Sequence, residues 1–167
     1  MNQLFTSASG LDARGVGPRI ILRTSPFLLA AIVSEIWVAA FFEMPLLNNT
    51  PVKIGGWIWL LLGFVLFVSS IVQFSRNFPK GNLLQTGMYA FSRNPIYSCW
   101  ILFILPSIWL ILNNWLFLLS AAVMCVVTLI LVKEEEVQLL KVFGKQYVEY
   151  RKQIGCIIWF IGKTENE

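Results

Sequence analysis

Residues 86–106 read TGMYAFSRNPIYSCWILFILP, and the junction inside them decides how the rest of the chain is read. A polar cluster, Ser92-Arg93-Asn94-Pro95, abuts an apolar run without any linker. Polar groups held at a membrane border are costly unless partners satisfy them, so the junction marks both the start of a span and a place where something is bound.

Working outward, the 167-residue chain is 57% hydrophobic and 13% charged and has no histidine. That composition lies far from the soluble average and points to a single membrane domain, residues 1–167. Four runs approach the roughly 20 apolar residues that cross a bilayer: Pro26 to Phe42, Ile54 to Phe74, Ile96 to Leu112 and Trp115 to Val132. The expected fold is therefore all-α, with about four transmembrane helices, a C-terminal helical hairpin and a cytoplasmic amphipathic helix. Pro106 should kink the third span rather than end it. Only Asn113 and Asn114 separate the third span from the fourth, which predicts a tight antiparallel hairpin.

Basic residues set the orientation. With both termini cytoplasmic, the inner segments hold Arg14, Arg19, Arg23, Arg76, Lys80, Arg93, Lys133, Lys141, Lys145, Arg151, Lys152 and Lys163, and the outer ones only Lys53. The net charge of +4 then reads as topology and attraction to membrane lipids, and a nucleic-acid partner is not expected. Cys99, Cys125 and Cys156 lack metal-ligand spacing, so they read as small core residues and no metal is expected. Residues 1–18 read as a flexible segment carrying little function, and residues 26–74 as the first two spans. The triplet Asn48-Asn49-Thr50 has the form of a glycosylation acceptor and reads as a chance match beside the membrane.

The open end of the hairpin brings two polar clusters together. Asn94 before Pro95 is a good helix start, with Asn as N-cap and Pro at the first helical position. With Arg93 it forms either an anion site or a headgroup anchor at the start of a span. The second cluster, Lys133-Glu134-Glu135-Glu136, places three like charges where a span ends, which is unfavourable without a compensating cation. It is either a solvated turn at the membrane exit or a binding site. Downstream, Leu139, Phe143, Tyr147 and Tyr150 recur at helical spacing and predict an amphipathic lid over the hairpin. Glu35, an acid inside the first span, is a further oddity, and Ser34 beside it suggests a packed helix contact.

As an ordered set these residues resemble the integral-membrane methyltransferases that include isoprenylcysteine carboxyl methyltransferase and phosphatidylethanolamine methyltransferase. The matching positions are Gly87 and Tyr89; Arg93, Asn94, Pro95 and Tyr97; Glu135, Glu136 and Leu139; and Phe143, Gly144, Tyr147 and Tyr150. They fall within residues 81–151, which the resemblance makes the cofactor-binding and catalytic part.

The resemblance implies S-adenosyl-L-methionine as cofactor and a lipophilic substrate entering from the bilayer. It implies Arg93, Asn94 and Tyr97 as catalytic residues. Gly87, Tyr89, Arg93, Asn94, Pro95, Tyr97, Glu135, Glu136 and Tyr147 are implied as the cofactor-binding set, with Arg93 suited to the cofactor's carboxylate and the two glutamates to its cationic groups. Asn94 stands where many members carry histidine, and asparagine keeps a hydrogen bond but exchanges no proton. A carboxylate acceptor, with a pKa of about 3.3–3.7, is ionised at neutral pH and needs no base. The expected reaction is accordingly carboxyl O-methylation of a prenylcysteine-like acceptor, with phospholipid (ethanolamine) N-methylation as the alternative. An NADPH-dependent sterol-type reductase and a non-enzymatic membrane scaffold are the remaining readings.

Overall fold

A computed structural model of the chain describes residues 15–44 and 49–157. The apolar runs all fold as helices: α1 (Gly17–Trp37), the short α2 (Ala39–Phe42), α3 (Thr50–Asn77), α4 (Pro95–Cys99), α5 (Leu105–Leu112), α6 (Leu116–Phe143) and α7 (Lys145–Gln153). Pro95 to Leu112 is continuous, because one π-helical segment, Trp100–Ile104, joins α4 to α5. Four helical stretches, Gly17–Trp37, Thr50–Lys80, Pro95–Leu112 and Leu116–Phe143, are long and apolar enough to cross a membrane. Their outward surfaces expose large apolar side chains such as Leu22, Trp57, Ile58, Val126 and Ile130. Such a sheath suits hydrocarbon, with backbone polar groups satisfied inside each helix. The chain is an all-α integral membrane protein.

The π segment has an identifiable cause. Pro106 lacks the N–H that the Leu102 carbonyl would accept in a regular helix. The indole N–H of Trp59 on α3 donates to that carbonyl instead, at 3.0 Å. Close approach of α3 makes this possible: a Cβ at Gly63 would lie 2.4 Å from the Cβ of Phe103. The expected kink at Pro106 is thus a π-bulge, repaired by a neighbouring helix.

α1 packs along α6, α3 packs along α4 and α5, and α5 packs against α6. The α5–α6 hairpin therefore lies between the first two spans, turning at Asn113 in the left-handed conformation (φ 61°). Ile20, Leu105, Leu131 and Val132 belong to the buried core that this arrangement creates.

Several span boundaries differ from the sequence reading. The first span starts earlier and ends at Trp37, with Val38 breaking it from α2. More consequentially, α6 does not stop at Val132 but runs to Phe143, and the chain turns at Gly144 (φ 52°) into α7. The acidic cluster lies inside a helix, not at its end, and the expected lid is split between the last turns of α6 and α7. Asn49 caps α3 by accepting from the Val52 N–H at 3.1 Å, which accounts for one residue of the Asn48-Asn49-Thr50 triplet; Asn48 lies outside the described residues.

Glu35 has a structural partner at the turn of the hairpin. The Asn114 side-chain amide donates to Glu35 Oε2 and to Ser34 Oγ, each at 3.0 Å. Glutamine at position 35 keeps an acceptor for Asn114 but loses the charge, a difference of about 1 kcal/mol. Glu35→Gln is expected to lower the melting temperature in detergent slightly and to change the methyl-transfer turnover that the resemblance implies less than Glu135→Gln does. Turnover falling as far as in Glu135→Gln would make the first span's interior part of the site.

Candidate active site

At the opposite end from Asn114, α1, α3, α4 and α6 converge around a cavity of about 220 Å³. Its polar wall is assembled locally at Ser92-Arg93-Asn94. Ser92 Oγ accepts from the Asn94 N–H at 3.1 Å and Ser98 donates its N–H to the Asn94 carbonyl at 3.0 Å, which starts α4 at Pro95. Asn94 does not act as a side-chain N-cap, contrary to the sequence reading. Its amide donates to the Cys156 carbonyl at 3.2 Å and approaches the Cys156 sulfur at 3.4 Å.

The segment after α7 thereby straps the start of α4. The Arg93 N–H donates to the Gly155 carbonyl at 3.0 Å, Ser92 Oγ to the Cys156 carbonyl at 3.1 Å, and Ser98 Oγ to the Ile157 carbonyl at 2.7 Å. Burial pushes the Cys156 thiol up to about 11. Cys156 is thus a small core residue, as expected, and also a neutral structural contact of the site.

Three consecutive acids on α6 take three directions, because successive residues turn by about 100° on a helix. Glu134 faces outward and pairs with Arg19 of α1 at 2.7 Å, both side chains half exposed. Glu135 turns toward the start of α1 and accepts from the Val16 N–H at 2.7 Å. Glu136 turns toward α4 and pairs with Arg93 Nη1 at 2.5 Å, with the arginine side chain 3% and the glutamate 14% exposed. Mutual repulsion is relieved by this fan of separate partners. The arginine and one of the two glutamates expected at opposite ends of a ligand, Arg93 and Glu136, face each other directly here.

The aromatic residues close the arrangement. Tyr150 donates its hydroxyl to the Tyr89 carbonyl at 2.6 Å, tying α7 to the loop before α4, and Arg93 Nη1 approaches the Tyr147 hydroxyl at 3.4 Å. Burial raises the phenols of Tyr89, Tyr147 and Tyr150 above their ordinary value, so all three stay protonated at neutral pH.

Eight of the nine sequence-selected positions, Tyr89, Arg93, Asn94, Pro95, Tyr97, Glu135, Glu136 and Tyr147, line this one cavity. Gly87 does not; it sits in the adjoining turn, where Gln73 of α3 accepts from the Met88 N–H at 3.0 Å and donates to the Thr86 carbonyl. The wall also includes Phe74 and Phe78 at the end of α3 and, against the expectation that residues 1–18 form a flexible segment of little function, Gly15 just before α1. Their role had only a faint signal, the glycines and proline of Gly15-Val16-Gly17-Pro18 immediately before an apolar run. Apolar area comes from Leu83, Leu84, Leu139 and Phe143. Among the described residues no group of histidine, cysteine and acidic side chains is arranged to hold a metal ion.

The model of the phospholipid methyltransferase family matches residues 52–146, more than half of the chain. The matched stretch begins on α3, takes in the α5–α6 hairpin and all three glutamates, and ends just before Tyr147. No curated protein and no solved structure is matched by the chain.

Proposed function

The chain belongs to the phospholipid methyltransferase family, within the integral-membrane methyltransferases that its motifs resemble, and from that membership we propose that it methylates a lipophilic acceptor at the cavity between α1, α3, α4 and α6. The family implies S-adenosylmethionine as methyl donor. When bound, this cofactor supplies an electrophilic methyl group on a sulfonium.

The donor set suits such a molecule. Arg93 and Glu136 cancel, and Arg19, the nearby cation of α1, is engaged by Glu134. Burial raises the Glu135 carboxyl while the Val16 N–H and Arg19 favour its charged form, and in that form it leaves the cavity lining with a net negative charge, complementary to a ligand bearing one carboxylate, one ammonium and one sulfonium. This charge balance is the observation that carries the proposal. Glu135 would hold the cationic part, the protonated hydroxyls of Tyr89 and Tyr147 would donate to polar atoms, and Phe143 and Leu139 would pack on apolar ones. Arg93 and Asn94 would act through the strap and the Glu136 pair, and Tyr97 from the α4 wall. With twelve of thirteen basic residues on one side, both termini and the cavity mouth would face the cytoplasm, and the acceptor's tail would stay in the bilayer.

The same balance bears on the acceptor. A carboxylate beside Glu135 meets like charge, whereas an ammonium is attracted to it and can give its proton to a Glu135 oxygen, which frees the nitrogen lone pair. An amine headgroup on a lipid is therefore the reading the geometry supports best. Carboxyl methylation is second, favoured by the absence of histidine, since a carboxylate attacks without a base. Offering labelled S-adenosylmethionine with both acceptor types from pH 6 to 9 separates them. Base-stable label in an amine lipid, rising with pH as the ammonium is lost, is the expected result. Base-labile methyl ester with a flat pH profile would replace it by the carboxyl reading.

A further inference from the structure

We infer that the start of the first span is a working part of this site: the backbone N–H of Val16 positions Glu135, and glycine at position 15 is what lets the chain come close enough to do so. This rests on the methyl-transfer reading above for what Glu135 does, but the contact itself stands on geometry.

The Val16 N–H donates to Glu135 Oε1 at 2.7 Å, across 119 residues of sequence. A donor at this point of a helix is free to serve elsewhere, because the first N–H groups of an α-helix have no partner within it. Val16 is the N-cap residue of α1, no side chain caps that end, and Val16 itself is 1% exposed. The end of α1 thus meets a buried carboxylate with its unused donor and the positive end of its dipole. Gly15 has φ +46°, and a Cβ built there would lie 1.6 Å from Glu135 Oε1. Two residues on, a Cβ at Gly17 would lie 3.0 Å from the Tyr97 hydroxyl. Only backbone fits against Glu135 where it stands, and a side chain at Gly17 would be tight against Tyr97.

The consequence is a division within α6. Glu136 is oriented by Arg93 and Glu135 by a main-chain donor from another span. A main-chain donor fixes an oxygen and favours the charged form that burial disfavours, so Val16 holds Glu135 in place and opposes its protonation without pairing its charge away.

Proline tests the donor. At an N-cap the missing N–H removes no helical hydrogen bond, and the Val16 φ of −87° is within reach of proline. Val16→Pro deletes the donor and sets its ring Cδ where the hydrogen pointed at Glu135, so the carboxylate must turn away, while Val16→Ala trims the side chain and keeps the donor. Binding of S-adenosylmethionine to the full chain in detergent is expected to be at least tenfold weaker in Val16→Pro than in Val16→Ala. In a Glu135→Ala background the two should agree within twofold, because the donor then has nothing to position. Equal binding by the two single variants would overturn the inference. Should Val16→Pro fail to fold, Gly15→Ala takes its place, with the same expected loss and the same disappearance of that loss in Glu135→Ala.

Amide hydrogen exchange gives a readout without cofactor. The Val16 amide should be protected in the wild-type chain and exchange faster in Glu135→Ala. No difference overturns the inference. Protection that depends on Glu135, in a chain that does not bind S-adenosylmethionine, would instead overturn the methyl-transfer reading and leave the contact in place.

Discussion

Arg93→Ala is expected to weaken S-adenosylmethionine binding about ten- to a hundredfold and to lower the melting temperature in detergent. Arg93 and Glu136 face each other at 2.5 Å with 3% and 14% of their side chains exposed, so removing the arginine leaves a buried carboxylate without its counter-ion. Breaking such a pair from one side costs about 3–5 kcal/mol, and about half of it on the site is roughly ten- to a hundredfold in affinity. Part of the loss falls on the fold and part on the site, because the guanidinium also reaches the Tyr147 hydroxyl, whereas the main-chain N–H to Gly155 that holds the C-terminal strap is kept in the variant.

A double variant separates the two parts. Replacing both members of a buried pair by apolar residues of similar volume is often neutral or stabilising. Arg93→Met with Glu136→Leu should therefore recover the melting temperature while binding stays lost. Calorimetric titration and thermal unfolding on the same preparations decide it. Wild-type affinity in Arg93→Ala would remove the pair from the site altogether.

The spans were legible because apolar runs of membrane length leave few alternatives, and the tight turn at Asn113-Asn114 follows from a two-residue gap. The end of α6 was not legible. Lys133-Glu134-Glu135-Glu136 reads as a membrane exit, yet Glu, Lys, Leu and Gln are good helix formers, and each acid finds its own partner on a neighbouring element, so nothing stops the helix before Gly144. For the site, an ordered motif selected residues that the fold brings together from α4, α6 and α7. What it missed has a common physical character. Val16 contributes a backbone N–H, Gly15 an absent side chain, and Cys156 mainly a carbonyl oxygen, and main-chain groups leave no residue-type signature. Gln73 clamps a turn rather than lining the cavity, and its partners become neighbours only through packing.

Glu135→Ala is expected to reduce cofactor affinity by about ten- to a hundredfold, from the 1.5–3 kcal/mol typical of a charge-assisted contact in a partly dry site. The flanking acids make this a sharp comparison, since Glu134, Glu135 and Glu136 share a helix and a charge but not a role. Glu134→Ala removes only a half-exposed pair with Arg19, worth at most about 1 kcal/mol, and should leave affinity within about fivefold. Glu135→Gln adds a second cut. Its amide oxygen still accepts from the Val16 N–H, so the fold and the start of α1 should be retained, while the negative charge is gone. If the cavity selects a cationic ligand through that charge, glutamine must bind nearly as poorly as alanine and melt nearly as high as wild type. Glutamine binding as tightly as glutamate would mean that position 135 serves as a hydrogen-bonded tie to α1 alone, and the net negative charge of the cavity would no longer support methyl transfer from a sulfonium.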